Sequence, residues 1–73
     1  MKRAQGRILD TLTRIKSKSR RKRWQGNKRQ LFEEDTRHGD LEKYNQHGRH
    51  EGSVDPDTGE IIKAPVRGRK IEV

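Results

Sequence analysis

Apolar residues are sparse along this chain and fall into two patterns. Ala4, Ile8, Leu12 and Ile15 recur at spacings of four, four and three, with Leu9 beside them. That spacing lays one apolar stripe along a helix, so it predicts a short amphipathic helix over about residues 3–16, basic on its other side. From residue 30 the period changes. Leu31–Glu33, Asp40–Asn45, Arg49–Val54, Glu60–Lys63 and Arg69–Val73 are short segments bounded by Gly, Asn, Asp or Pro, and each reads as a strand. The sharpest local signal is VDPDTGE, residues 54–60. Pro56 presets a turn φ, Asp55 and Asp57 can bond nearby backbone, and Gly59 accepts φ > 0. A hairpin is expected there, with Ile61 and Ile62 in a buried strand on its far side and Pro65 ending or edging that strand.

The expected fold is α+β and mainly β: a short N-terminal helix followed by a small, highly twisted antiparallel β-sheet. Residues 1–19 form the basic helix and connector, and residues 20–73 form the body. The stretch KSKSRRKR, residues 16–23, has neither periodicity nor an apolar residue. It reads as a basic connector that tracks phosphates when nucleic acid is present. Trp24 follows it and is expected in the core or at its edge rather than stacked on a base.

Composition sharpens this picture. The chain has 73 residues, 25% hydrophobic and 41% charged, with a net charge of +8 and no cysteine. One small domain is the most it can form, and no disulfide or thiolate metal site can staple it. No apolar run is long enough to span a bilayer, and the N-terminus lacks the apolar region of a secretory signal. The charge is uneven: residues 1–29 carry twelve Lys/Arg against one acid, whereas residues 30–73 carry seven against ten. A basic arm beside a near-neutral body points to a polyanionic partner, nucleic acid rather than membrane.

Against that background EEDTRHGDLE, residues 33–42, is an anomaly: five of the eleven acids surround one histidine. RNA carries its own nucleophile, the 2′-hydroxyl. Cutting it by transesterification needs a group to take the 2′-OH proton, a group to protonate the departing 5′-oxygen, and a cation on the phosphorane oxygens. Asp35, His38, Asp40 and Glu42 are the proton-handling candidates. In a straight strand His38 and Glu42 share a face but stand about 13 Å apart. Gly39 offers a bend or bulge that would shorten this; a helix would also bring i and i+4 together. His47 and His50 form a His-x-x-His pair, but without thiolates no metal or other cofactor is expected. Neither G-x-G-x-x-G nor a P-loop occurs.

RRKRWQGNK, LFEEDTRHGDLEKY (31–44) and GRHEGSVDPDTGEIIK (48–63) together resemble the cytotoxic domain of the ribosome-inactivating E-type colicins and cloacin. The resemblance runs from about Arg20 to Arg69. It implies a metal-independent bacterial endoribonuclease toxin that cuts 16S rRNA at the decoding site of the small ribosomal subunit. It also implies a monomeric toxic domain masked by an acidic immunity protein in the producing cell. By the same resemblance Asp35, His38, Glu42 and Arg69 match the catalytic set. The usual assignment there has Glu42 as base, His38 as acid, Asp35 supporting the histidine and Arg69 on the phosphate. Which of His38 and Glu42 is the acid stays open, as does Arg67 in place of Arg69. Tyr44, His50 and Lys63 match positions near the site or on the RNA-facing surface. Arg20, Arg21, Lys22, Arg23 and Lys28 complete the expected RNA contacts. The domain is expected to be secreted or delivered as part of a larger toxin and to act in the target cytoplasm. A non-catalytic, ribosome-associated RNA-binding module explains the charge but not the carboxylates around His38. A His-Asn-His nuclease would need a longer histidine-rich motif.

Overall fold

The computed structural model describes residues 8–73, and its framework is a six-stranded antiparallel sheet in sequential order. The strands are β1 (Thr13–Ile15), β2 (Arg23–Gln25), β3 (Leu31–Asp35), β4 (Asp40–Tyr44), β5 (His50–Val54) and β6 (Ile61–Lys63). Each strand pairs with its neighbour in the chain, so every connection is a hairpin or a short loop.

The register sorts the side chains onto two faces. One rung crosses the whole sheet: Ile15, Arg23, Glu33, Glu42, Ser53 and Lys63 are successive cross-strand partners. Side chains alternate along a strand, so Leu31, Glu33 and Asp35 share one face of β3, and Asp40, Glu42 and Tyr44 share that face of β4. The opposite face carries the core of Phe32, Leu41 and Val54, with Ile8, Leu9, Leu12 and Trp24 packed against it. Trp24 is half-buried at the margin of this core, as expected, and the Arg14 guanidinium lies 5.5 Å from its ring centroid. One face is therefore apolar and covered, and the other carries the charged rung, with Leu31 and Tyr44 buried beside it.

The N-terminal helix does not form. Residues 1–7, including Ala4, lie outside the described residues; beyond them Ile8–Thr11 makes a single 3-10 turn and Thr13–Ile15 is already a strand. The apolar spacing was a true signal with a different cause. Ile8, Leu9 and Leu12 cover the core from one 3-10 turn, while Ile15 pairs with Arg23 on the other face. β-Branched Thr13 and Ile15 suit the extended chain of β1 better than a helix. The Ile8 N–H donates to the Pro56 carbonyl at 3.0 Å, which ties this entry segment to the β5–β6 hairpin.

Other expectations are corrected as well. The basic stretch contributes the β1–β2 loop through Lys22, but its last residue, Arg23, starts β2 and is buried. The segment 69–73 is not a strand; only an isolated bridge joins Lys70 to Arg49. The DPDTG hairpin forms, closed by Asp55 N–H to Glu60 O and Gly59 N–H to Asp55 O. Yet Ile61 and Ile62 beyond it stay 56% and 48% exposed, because three-residue β6 is an edge strand. Of the bend or bulge expected at Gly39, the bend forms. Gly39 closes the β3–β4 turn at φ 74°, with its N–H on the Asp35 carbonyl. The register shifts fall elsewhere, at Lys43/Tyr44 against β5 and at Ser53/Val54 against β6. No helix among the described residues is long and apolar enough to cross a membrane.

Candidate active site

The polar face of the sheet holds two acid–histidine pairs of opposite character. The first is local. Asp35 ends β3, and its Oδ1 accepts the backbone N–H groups of Arg37 and His38, building the turn that carries the histidine. Its Oδ2 lies 2.9 Å from His38 Nδ1. A carboxylate partner makes Nδ1 the donor, which turns Nε2 outward as the nitrogen free to exchange a proton. The His38 side chain is 50% exposed, and Asp35 is 13% exposed.

The hydrogen bond from His38 is the main reason that the Asp35 carboxyl is pulled down from 3.8 to about 2, helped by the two backbone donors and opposed by burial. A depressed folded-state value stabilises the fold above the unfolded value and loses that contribution as pH falls through the folded one. Urea titrations of the unfolding midpoint between pH 5 and pH 2 are therefore expected to show a decline over the lower part of that range. Asp35→Asn should lack that component of the decline while keeping any decline due to other carboxyls.

The second pair is assembled across strands. Glu42, in the middle of β4, is 3% exposed. Its Oε1 accepts from His50 Nε2 at 2.6 Å, and the Ser53 hydroxyl sits 3.0 Å from both carboxylate oxygens. His50 Nδ1 accepts the Val66 backbone N–H at 2.9 Å, which fixes the proton of this ring on Nε2. Both His50 nitrogens are thus engaged, which leaves neither free for a metal ion or for a proton shuttle. Among the described residues no group of three His, Cys, Asp or Glu side chains is placed to hold a metal. The Tyr44 ring meets the His50 ring edge-on at 5.2 Å. Burial pushes the Tyr44 phenol above its usual value, and the Arg69 guanidinium partly opposes this.

Arg69 connects the two pairs. Its guanidinium is 3.7 Å from Glu42 Oε1, it is 39% exposed, and it lines one cleft with Asp35, Thr36, Arg37, His38 and Arg21. Arg67, the alternative from sequence, lies outside this cleft, in a groove with Arg49, His50 and Val66. Asp40 makes a 3.7 Å ion pair with exposed Lys63. Arg20, Arg21, Lys22 and Lys28 are exposed.

Three placements differ from what sequence suggested. Arg23, expected among the RNA contacts, is buried, with Nε and Nη2 both on Glu33 Oε2 at 3.0 and 2.7 Å. Glu33, one of the five acids around His38 and given no catalytic role from sequence, is buried as its partner and stands directly opposite Glu42 in the β3–β4 register. His50, expected at the surface or against substrate, is buried against Glu42. Ser53 was not singled out at all. Once the DPDTG hairpin fixes the end of β5, period-2 alternation places Ser53 next to Glu42, so the signal was present in the turn.

The chain resembles known proteins over most of its length. It is 47% identical over 55 residues to colicin E3 of Escherichia coli, which covers 73% of this chain and 10% of that protein. Over the same coverage it is 44% identical to cloacin and 44% to colicin-E6, both of Escherichia coli. The chain thus spans about a tenth of the length of these relatives. The family model described as Cytotoxic matches residues 6–72, the sheet and both acid–histidine pairs included, and the chain belongs to that family of colicin and cloacin cytotoxic domains.

Proposed function

We propose that this chain is the nuclease domain of a bacterial toxin, a metal-independent endoribonuclease that cuts 16S rRNA at the decoding site of the small ribosomal subunit. The observation that carries the reading is the shared position of Arg69. It reaches the buried carboxylate of Glu42 and lines the same cleft as His38, whose Nδ1 is held by Asp35. Membership of the Cytotoxic family supports the coarser statement of a toxin nuclease.

In the proposed reaction Glu42 takes the proton of a ribose 2′-hydroxyl. The freed oxygen forms a bond to the adjacent phosphorus. The bond from phosphorus to the 5′-oxygen then breaks, and His38 Nε2 delivers a proton to that oxygen. The products are a 2′,3′-cyclic phosphate and a 5′-hydroxyl. Arg69 neutralises the charge on the phosphorane oxygens. When Arg69 moves onto the phosphate it leaves Glu42, so substrate binding uncovers the base. Asp35 orients His38, and His50 with Ser53 orients Glu42. The exposed residues of the basic β1–β2 loop, Arg20, Arg21 and Lys22, hold the RNA backbone. An acidic immunity protein is the expected inhibitor of such a basic face.

Intact ribosomes incubated with the domain should yield one short 3′ fragment of small-subunit RNA, with or without a chelator. Uncut RNA would favour a non-catalytic binding module. Chelator-sensitive cleavage, or cleavage of DNA, would favour a metal-dependent nuclease.

A further inference from the structure

A wide groove lies on the polar face, away from the Asp35–His38 cleft. It has a volume of about 740 Å³, and Ile15, Leu31 and Val73 give it apolar walls. Lys16, Lys18 and Arg29 line it too, as does Gln25. No acidic side chain does. Of its charged residues only Arg23 is neutralised, by Glu33. Lys16, Lys18, Gln25 and Arg29 make no side-chain hydrogen bond or ion pair among the described residues. The loop that delivers Arg29 is strained. Lys28 and Arg29 are consecutive non-glycine residues at φ 57° and 62°, a left-handed backbone that is costly for residues with a Cβ. Such strain persists only where the surrounding contacts hold it, and here it sets a free guanidinium into a basic groove.

We propose that this groove is a second RNA subsite, seating an unpaired nucleotide of the strand whose scissile phosphate occupies the Asp35–His38 cleft. The inference rests on the ribonuclease reading and extends it. The chemistry fits each part of a nucleotide: the apolar walls take the face of a base, the Gln25 amide can pair with a base edge, and the free cations take the flanking phosphates. The position fits as well. Leu31 in the groove and Asp35 in the cleft lie on the same face of β3, four residues and therefore about 13 Å apart. A single strand of RNA crossing the sheet past the Arg23–Glu33 pair would meet both.

The test uses the whole chain, isotopically labelled, and a short single-stranded 2′-O-methyl oligonucleotide that cannot be cut. Binding should shift the amide resonances of residues 15–18, 25 and 29 together with those of residues 35–38. Gln25→Ala and Arg29→Ala should each weaken binding by about tenfold and leave kcat on ribosomes unchanged. For Arg29→Ala the salt dependence of binding should also fall by about one phosphate contact. Shifts confined to the cleft overturn the subsite and leave the ribonuclease reading intact. Shifts in the groove with poly-glutamate but not with the oligonucleotide overturn it in favour of an acidic protein partner. Absence of RNA binding at either place overturns the subsite, and the ribosome cleavage assay then decides the ribonuclease reading on its own.

Discussion

His38→Ala is expected to slow ribosome cleavage by about 10²–10⁴-fold, the range for loss of a general acid or base, with little change in thermal midpoint. The two halves of this expectation come from one geometry. The His38 side chain is half exposed and makes one side-chain hydrogen bond, at 2.9 Å to Asp35, so removing it leaves no enclosed cavity. Glu42→Ala is expected to be as damaging to cleavage but must also destabilise, because it strips the buried Ser53 hydroxyl and His50 Nε2–H of their acceptor. The two histidines make the sharper contrast. His38 has a free nitrogen, whereas both nitrogens of His50 are occupied. A pH–rate profile that loses one limb in His38→Ala and keeps both in His50→Gln would separate proton carrier from positioning residue. Normal cleavage by His38→Ala would remove it from the proposed mechanism.

The sequence made part of this site legible because part of it is local. Asp35 and His38 are three residues apart in one turn, and the turn chemistry of Asp35 and Gly39 is written in the residues themselves. Strands β3, β4 and β5 and the DPDTG turn were readable for the same reason. What depends on distant partners was not. The setting of Glu42 needs the register shift at Lys43/Tyr44 that brings His50 opposite Tyr44, and the tautomer of His50 needs a backbone N–H sixteen residues later. Likewise β1 and β2 are three residues each, too short to show a strand period. Their place in the sheet is set by pairing with distant residues as well as by local propensity, Arg23 standing opposite Glu33 and bonding it. The helix expected over residues 3–16 failed on the same ground: a 3.6 spacing across a handful of apolar residues also suits one 3-10 turn followed by a strand.

That buried charge pair gives the second large effect. Arg23→Ala is expected to destabilise the fold by about 3–5 kcal/mol, a large share of what a small domain has, and to lower the thermal midpoint by more than 10 °C, which a urea or thermal melt will read. The Arg23 and Glu33 side chains are 5% and 4% exposed. Glu33 receives two guanidinium bonds and longer contacts of 3.4 and 3.3 Å from the Ser17 and Ser19 hydroxyls. Arg23 Nη1 also donates to the Glu72 carbonyl at 2.8 Å, so the Arg23–Glu33 pair together clasps the basic loop, the sheet and the C-terminal segment. Without Arg23, Glu33 becomes an uncompensated buried charge directly opposite Glu42, and like charges in that position repel. Its cost should therefore reach the active site and slow cleavage even at temperatures where the variant is folded. The double change Arg23→Met with Glu33→Leu removes both charges and should recover most of the stability, since a buried pair replaced by apolar groups of similar size is often neutral or better. If the double variant is as unstable as Arg23→Ala, the loss comes from the clasp on Ser17, Ser19 and Glu72 rather than from the stranded charge.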